Sequence, residues 1–232
     1  MNVFITPPDK HFDSGLGNSA SEFKSASEAL KNSGDSQSGD LPICYLQRHS
    51  IELYLKSLIY ILHKKFSIPF GKEYNLENPA IIVKGKWKPL SNTHNLSNLY
   101  DYFLVIFESK EVSMPKTTNW SIDPKMKKNI NLISGFDPKS TYFRYPKSLD
   151  VKRDAMKSGI QSMDFEKAIK QINSPDGKPV KCAVMLDAND NVVETYDLVA
   201  ENLGAVKKAL DETLEFMDCI HCAFLGELTK WT

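Results

Sequence analysis

Arg48, Glu52 and Lys56 follow one another at i, i+4 and i+8, with Tyr45 and His49 beside the first and His63 further along. On a helix this spacing sets a carboxylate between two cations on one face. Such a face has two readings. It can be a charge ladder that contributes about 0.3–0.5 kcal/mol per exposed pair and does nothing else. It can instead line a cleft that binds an anion, with a neighbouring histidine as an acid/base group near neutral pH. His94 and Arg144 are further candidates for proton transfer and for neutralising phosphate charge.

Other residues with chemical potential carry less. Cys219-Ile220-His221-Cys222 has the Cys-x-x-Cys form of a metal or redox site, but at 100° per residue His221 points into a Leu/Val seam and the thiols point elsewhere. The expectation is a core histidine with two small packing cysteines and no metal. Asp187-Ala188-Asn189-Asp190-Asn191 lacks the mid-loop glycine and the closing glutamate of a calcium loop, so it reads as a hairpin turn. Phosphate-binding glycine loops and the Gly-x-Ser-x-Gly elbow are absent, and no cofactor is called for.

The elements that position these residues come from periodicity. Residues 1–18 read as an extended lead-in and 19–232 as one helical domain with a β-hairpin insertion over about 178–197. Ala20, Phe23, Ala26 and Leu30 mark a short first helix. A second helix runs from Asp40, as N-cap, to about Lys65. It is apolar nearly all round except for the sector holding Tyr45, Arg48, Glu52, Lys56 and His63, which suits the middle of a bundle. Ile68–Pro89 reads as a surface excursion with a β-like run at 80–83. Leu96, Leu99, Tyr100, Phe103, Ile106 and Phe107 form the stripe of a third helix, starting near a Thr93 cap that leaves His94 in its first turn. A fourth covers about 123–134, a weak one 164–172, and a last one about 198–228. The fold class is mainly α, a helical bundle with a small β-hairpin insertion.

Hydrophobic content of 41% and charged content of 25% are those of a globular chain, and the net charge is zero, which disfavours general coating of nucleic acid. The charge is uneven. Residues 125–157 hold nine Lys and Arg against three Asp, while the last helix carries Glu201, Asp211, Glu212, Glu215, Asp218 and Glu227. The basic stretch, with Tyr142 and Tyr145 for stacking, is either an anion-binding patch or a solvated surface. The acidic helix can face the basic stretch of another subunit. No run approaches the roughly 20 apolar residues of a membrane span, and four unevenly placed cysteines fit a reducing compartment, so a cytoplasmic protein without membrane contact is expected.

Three phrases in order carry a resemblance. Arg48-His49-Ser50-Ile51-Glu52-Leu53-Tyr54-Leu55-Lys56-Ser57-Leu58 is similar to the second helix of bacterial HEPN-type proteins. Thr93-His94-Asn95-Leu96 is similar to the phrase that opens their next helix, and Phe143-Arg144-Tyr145-Pro146 to one found downstream. The resemblance covers about residues 19–146. It implies a helical bundle, often dimeric, in RNA cleavage, toxin–antitoxin pairs and antiviral defence. Nuclease members carry Arg-x(4–6)-His; the three arginines here, Arg48, Arg144 and Arg153, have no histidine at that spacing.

The resemblance therefore points to a non-catalytic HEPN-like regulatory or nucleotide/RNA-binding module of a bacterial defence or toxin–antitoxin system. The alternatives are a metal-independent endoribonuclease with a rearranged site using His49 or His94 with Arg48 or Arg144, and a protein-interaction subunit without a nucleic-acid role. The binding set is Arg48, His49, Glu52, Lys56, His94, Arg144 and Tyr145, and the first six are expected to meet in one cleft. Expected partners are a second copy joined through helix faces, RNA or a nucleotide, and a protein encoded nearby.

Overall fold

The computed structural model describes residue 7 and residues 10–33, 40–145, 154, 157, 160–173, 182–198 and 203–230. They are mainly helical, with two small antiparallel sheets. The chain divides into two compact units, Met1–Arg144 with Val206–Thr232, and Tyr145–Ala205. One domain with a hairpin insertion is therefore too simple a description, because the inserted segment folds as a unit of its own.

In the first unit, α1 spans Leu16–Asn32 and α2 Asp40–Lys65. The lead-in is shorter than 1–18: α1 already starts at Leu16, and Asp13 is buried before it. The face α1 turns inward is Gly17, Ala20 and Ser27, while Ala26 is exposed. Small side chains there let the two helices approach closely, and Ser50 of α2 donates a 2.7 Å hydrogen bond to the Ala20 carbonyl. Nearly every residue of α2 from Ile51 to His63 is buried, as an all-round apolar helix requires.

Strands β1 (Ala80–Val83) and β2 (Lys86–Pro89) pair antiparallel, Ile82 opposite Trp87. Lys84 and Gly85 between them have φ of 52° and 75°, the two left-handed positions that a tight two-residue hairpin turn demands. Ala80, Ile81 and Val83 are buried, so this segment is part of the core and more than a surface excursion.

Helix α3 (Leu96–Glu108) buries all six residues of the expected stripe. Its cap is Asn95, not Thr93: the Asn95 side chain accepts from Asn98 N at 3.0 Å, while Thr93 Oγ1 turns back to the Pro89 carbonyl. Asparagine is the stronger cap and reaches the N3 amide here. Helix α4 spans Lys125–Phe136, running through Gly135 where a stop was expected.

The second unit holds β3 (Ile160–Met163), α5 (Phe165–Ile172), β4 (Cys182–Leu186) and β5 (Val192–Leu198). Its sheet order is β3-β5-β4, all antiparallel. The hairpin is present, and β3 is an unexpected third strand. Asp187 closes the turn: its Oδ1 accepts from Asn189 N at 2.8 Å and Asn191 N at 2.9 Å. The turn expected at 174–177 lies outside the described residues.

The chain re-enters the first unit with α6 (Gly204–Phe224), which ends in a π-helical turn, Leu225–Thr229. Leu203, Val206, Leu210, Leu214, Met217, Phe224 and Leu228 are all buried, although the helix starts later than Leu198, which belongs to β5. Three of its acids are paired inside the chain. Asp218 takes Lys24 at 2.6 Å, Asp211 pairs with Lys31, and Glu212 takes Lys125 at 2.8 Å. These carboxylates need no second subunit.

Candidate functional site

Because α2 is central, its polar stripe faces the interior. Arg48 is 0% exposed, and burying a guanidinium requires nearby compensating charge. Three contacts fix it in place. Nη1 donates to Glu52 Oε2, Nη2 donates to the His94 carbonyl, and Nε lies 3.4 Å from Asp137 Oδ2 without aligning as a hydrogen bond. Asp137 is itself buried, at the C-terminal end of α4, where Oδ1 accepts from Thr141 N at 2.7 Å and Tyr142 N at 3.0 Å.

Glu52 is the hub. Its Oε1 accepts from Lys56 Nζ at 2.8 Å and faces His94 Nδ1 at 2.9 Å. Burial alone would raise the Glu52 carboxyl, but the Lys56 and Arg48 charges reverse this and hold it below the usual carboxylate range. The centre thus contains Arg48 and Lys56 against Glu52 and Asp137, formally balanced when His94 is neutral.

His94 is where the centre reaches solvent: its side chain is 48% exposed, against 2% for Glu52. It precedes α3 and does not lie in the first turn, so the helix dipole does not act on it as expected. Two links from α2 locate it instead, Arg48 through the backbone carbonyl and Glu52 through Nδ1. A carboxylate that accepts Nδ1–H fixes the tautomer and leaves Nε2 as the free lone pair, and Nε2 has no hydrogen bond among the described residues.

The remaining candidates sit along the rim. His49 stacks on Tyr45 with centroids 5.9 Å apart and meets the edge of Phe23 at 4.5 Å. Burial, followed by the charges of Arg48, Lys56 and Arg144, holds its pKa below the ordinary histidine value against the pull of Glu52, so it is neutral at pH 7. Its Nδ1 is buried without a hydrogen bond. Arg144 lies over the Tyr45 ring, 5.5 Å from its centroid. Arg48, Glu52, Lys56 and His94 are therefore in direct contact, while His49 and Arg144 each lie against Tyr45. Tyr145 belongs to the other unit, and Pro146 lies outside the described residues.

Asp137 and Tyr45 were missed as site residues. A signal for Asp137 exists: it is the one acid between Asp123 and Asp150 in the lysine-rich stretch.

A second buried cluster also went unread. Asp13 Oδ2 accepts from Ser57 Oγ at 2.5 Å and Gly17 N at 2.7 Å, and His221 Nε2 lies 3.0 Å from the same hydroxyl. Burial would raise Asp13, yet the bonds from His221, Ser57 and Gly17 bring it down to about 2. Serine and aspartate both approach the same imidazole nitrogen and all three residues are buried, so this set ties helices together and does not form a nucleophile relay. His221 is a core histidine as expected, but Cys219 and Cys222 are exposed and do not pack.

No family model, no curated protein and no solved structure matches this chain. No helix among the described residues is long and apolar enough to cross a membrane.

Proposed function

We propose that the chain is a HEPN-like helical module that binds RNA or a nucleotide in the cytoplasm of a bacterium, in a defence or toxin–antitoxin setting, with His94 as its central contact. The observation that carries the reading is His94 itself, a half-exposed imidazole located from two sides by buried charge. A fixed donor/acceptor at the surface is what recognition of a phosphate or a base edge needs. Arg144, over the Tyr45 ring, adds cationic charge for a phosphate backbone. The HEPN-like identity rests on the three sequence phrases.

The test is fluorescence anisotropy with a labelled single-stranded RNA, and with a nucleoside triphosphate. His94→Ala and Arg144→Ala should each weaken binding while lowering the urea midpoint by no more than about 0.3 M. Arg144→Ala should also lower the slope of log K against log salt by about 0.7, one phosphate contact on a single strand. Wild-type protein that binds neither probe at tens of micromolar would refute the reading.

The Glu52–His94 bond favours a second reading, a metal-independent endoribonuclease with His94 as general base and Glu52 orienting it. RNA cleavage that persists in EDTA and is lost in both His94→Ala and Glu52→Gln supports it. A chain that binds RNA and leaves it intact is the non-catalytic module.

A further inference from the structure

Among the described residues, the second unit has an edge strand with no guard. In the order β3-β5-β4, strand β4 pairs among the described residues with β5 alone, so its outer side presents backbone N–H and C=O groups without a ladder partner. Edge strands are ordinarily protected by charge, proline or a bulge. Cys182-Ala183-Val184-Met185-Leu186 has no charge and no proline. The irregularity between Met185 and Leu186 comes from the extra residue Val193 on β5, because Met185 pairs with Glu194 and Leu186 with Val192. Strand β4 itself is regular.

Its side chains are apolar toward both faces of the sheet, and Val184, Met185 and Leu186 are 43%, 54% and 53% exposed. What covers this edge must be an extended strand, uncharged, and apolar on both faces. Strand β4 of a second copy meets all three conditions. The sequence adds a fourth match. In the sequence Lys181, outside the described residues, precedes the strand and Asp187 follows it, so antiparallel self-pairing centred on Val184 runs the basic end of one copy toward the acidic end of the other at both ends. Opposite charges then meet twice and like charges never do.

We infer that β4 is a docking edge for a second copy of this chain, joining two three-stranded sheets across a two-fold axis at Val184. The inference is independent of RNA binding. It also moves dimerisation away from the helix faces, where it was expected: the apolar residues of α2 and α6 are consumed inside the first unit, and none of the exposed large hydrophobics lies on either helix.

The experiment is sedimentation velocity on the full chain at micromolar concentration, with Val184→Lys and Val184→Glu. Substitution at a half-exposed site on the axis puts like charges against each other in either homodimer. Wild type should sediment at about twice 26.2 kDa, each variant alone near 26.2 kDa, and an equal mixture of the two variants again as a dimer. A monomeric wild type, a dimer in either variant alone, or folded variants that stay monomeric when mixed would each overturn the proposal. Should either variant lose its far-UV signal, Val184→Cys with Cys182, Cys219 and Cys222 changed to serine decides instead. A disulfide-linked dimer on mild oxidation supports the axis at Val184, and its absence overturns it.

Discussion

Glu52→Gln removes one charge from the middle of a buried, balanced set and changes almost no volume. With Glu52 ionised, Arg48 and Lys56 face Glu52 and Asp137, all four less than 9% exposed as side chains. After the change one positive charge is uncompensated in a site nearly closed to water. Breaking a buried pair by removing one partner costs about 3–5 kcal/mol, and the amide oxygen retained by Gln places this case near the lower end, about 3 kcal/mol. The side-chain amide also presents N–H where a carboxylate oxygen faced Arg48 or His94, which adds to the penalty. The assay is urea unfolding followed by tryptophan fluorescence. The three tryptophans, Trp87, Trp120 and Trp231, all fall outside the 145–205 segment, so the signal carries no tryptophan of the second unit. With a slope of about 3 kcal/mol per molar urea, the midpoint should fall by about 1 M. Lys56→Met should cost less, because Glu52 keeps Arg48 and His94. A midpoint drop below about 0.3 M for Glu52→Gln would mean that the cluster is solvated, and would refute the buried-hub account.

Two further perturbations address the Asp13 cluster. The Asp13 carboxyl is held down at about 2 in the fold against 3.8 for a free aspartate, so its contribution is complete above about pH 4 and is lost as pH falls toward 2. The urea midpoint of wild type should therefore fall over that window by the equivalent of about 2 kcal/mol more than that of Asp13→Asn, and equal slopes would refute this. Gly17→Ala places a Cβ 2.1 Å from His221 Nε2 and should lower the thermal midpoint clearly, whereas Gly135→Ala meets nothing within 4 Å and should raise it slightly. Scanning calorimetry showing the two changes equivalent would remove the close approach of α1 to α6 from the account.

How far the sequence revealed this arrangement differs from residue to residue. The i, i+4, i+8 ladder was legible because helical period alone puts Arg48, Glu52 and Lys56 together. Its burial was not, because periodicity says which side of α2 a residue occupies and not what packs there. The covering groups come from the α3 approach and the end of α4, through His94 and Asp137. The cap of α3 was misread for a local reason: Thr93 and Asn95 are both cap residues, and which one reaches the third amide depends on how the chain leaves β2. Strand β3 carried no signal, since Ile160-Gln161-Ser162-Met163 is too short and too mixed for alternation to show. Cys219 and Cys222 are small enough to pack, yet both fall outside the buried stripe of α6 and are exposed.

A buried four-charge centre is an expensive way to hold helices, since well-packed apolar side chains of similar volume often do as well or better. What an apolar plug would not supply is direction. Arg48 reaches the His94 carbonyl, Glu52 the His94 ring and Asp137 the amides after α4, so the set fixes two chain segments at once and delivers one imidazole to the surface in one tautomer. This separates bracing from recognition in a way single substitutions can read. His94 contributes one side-chain hydrogen bond from a half-exposed position, so His94→Ala should cost little more than about 1 kcal/mol of stability. Glu52→Gln should cost several times that. If the centre exists for bracing alone, loss of RNA or nucleotide binding should follow stability and be marked only in Glu52→Gln. If it exists to present His94, binding should fail equally in both variants although their stabilities differ.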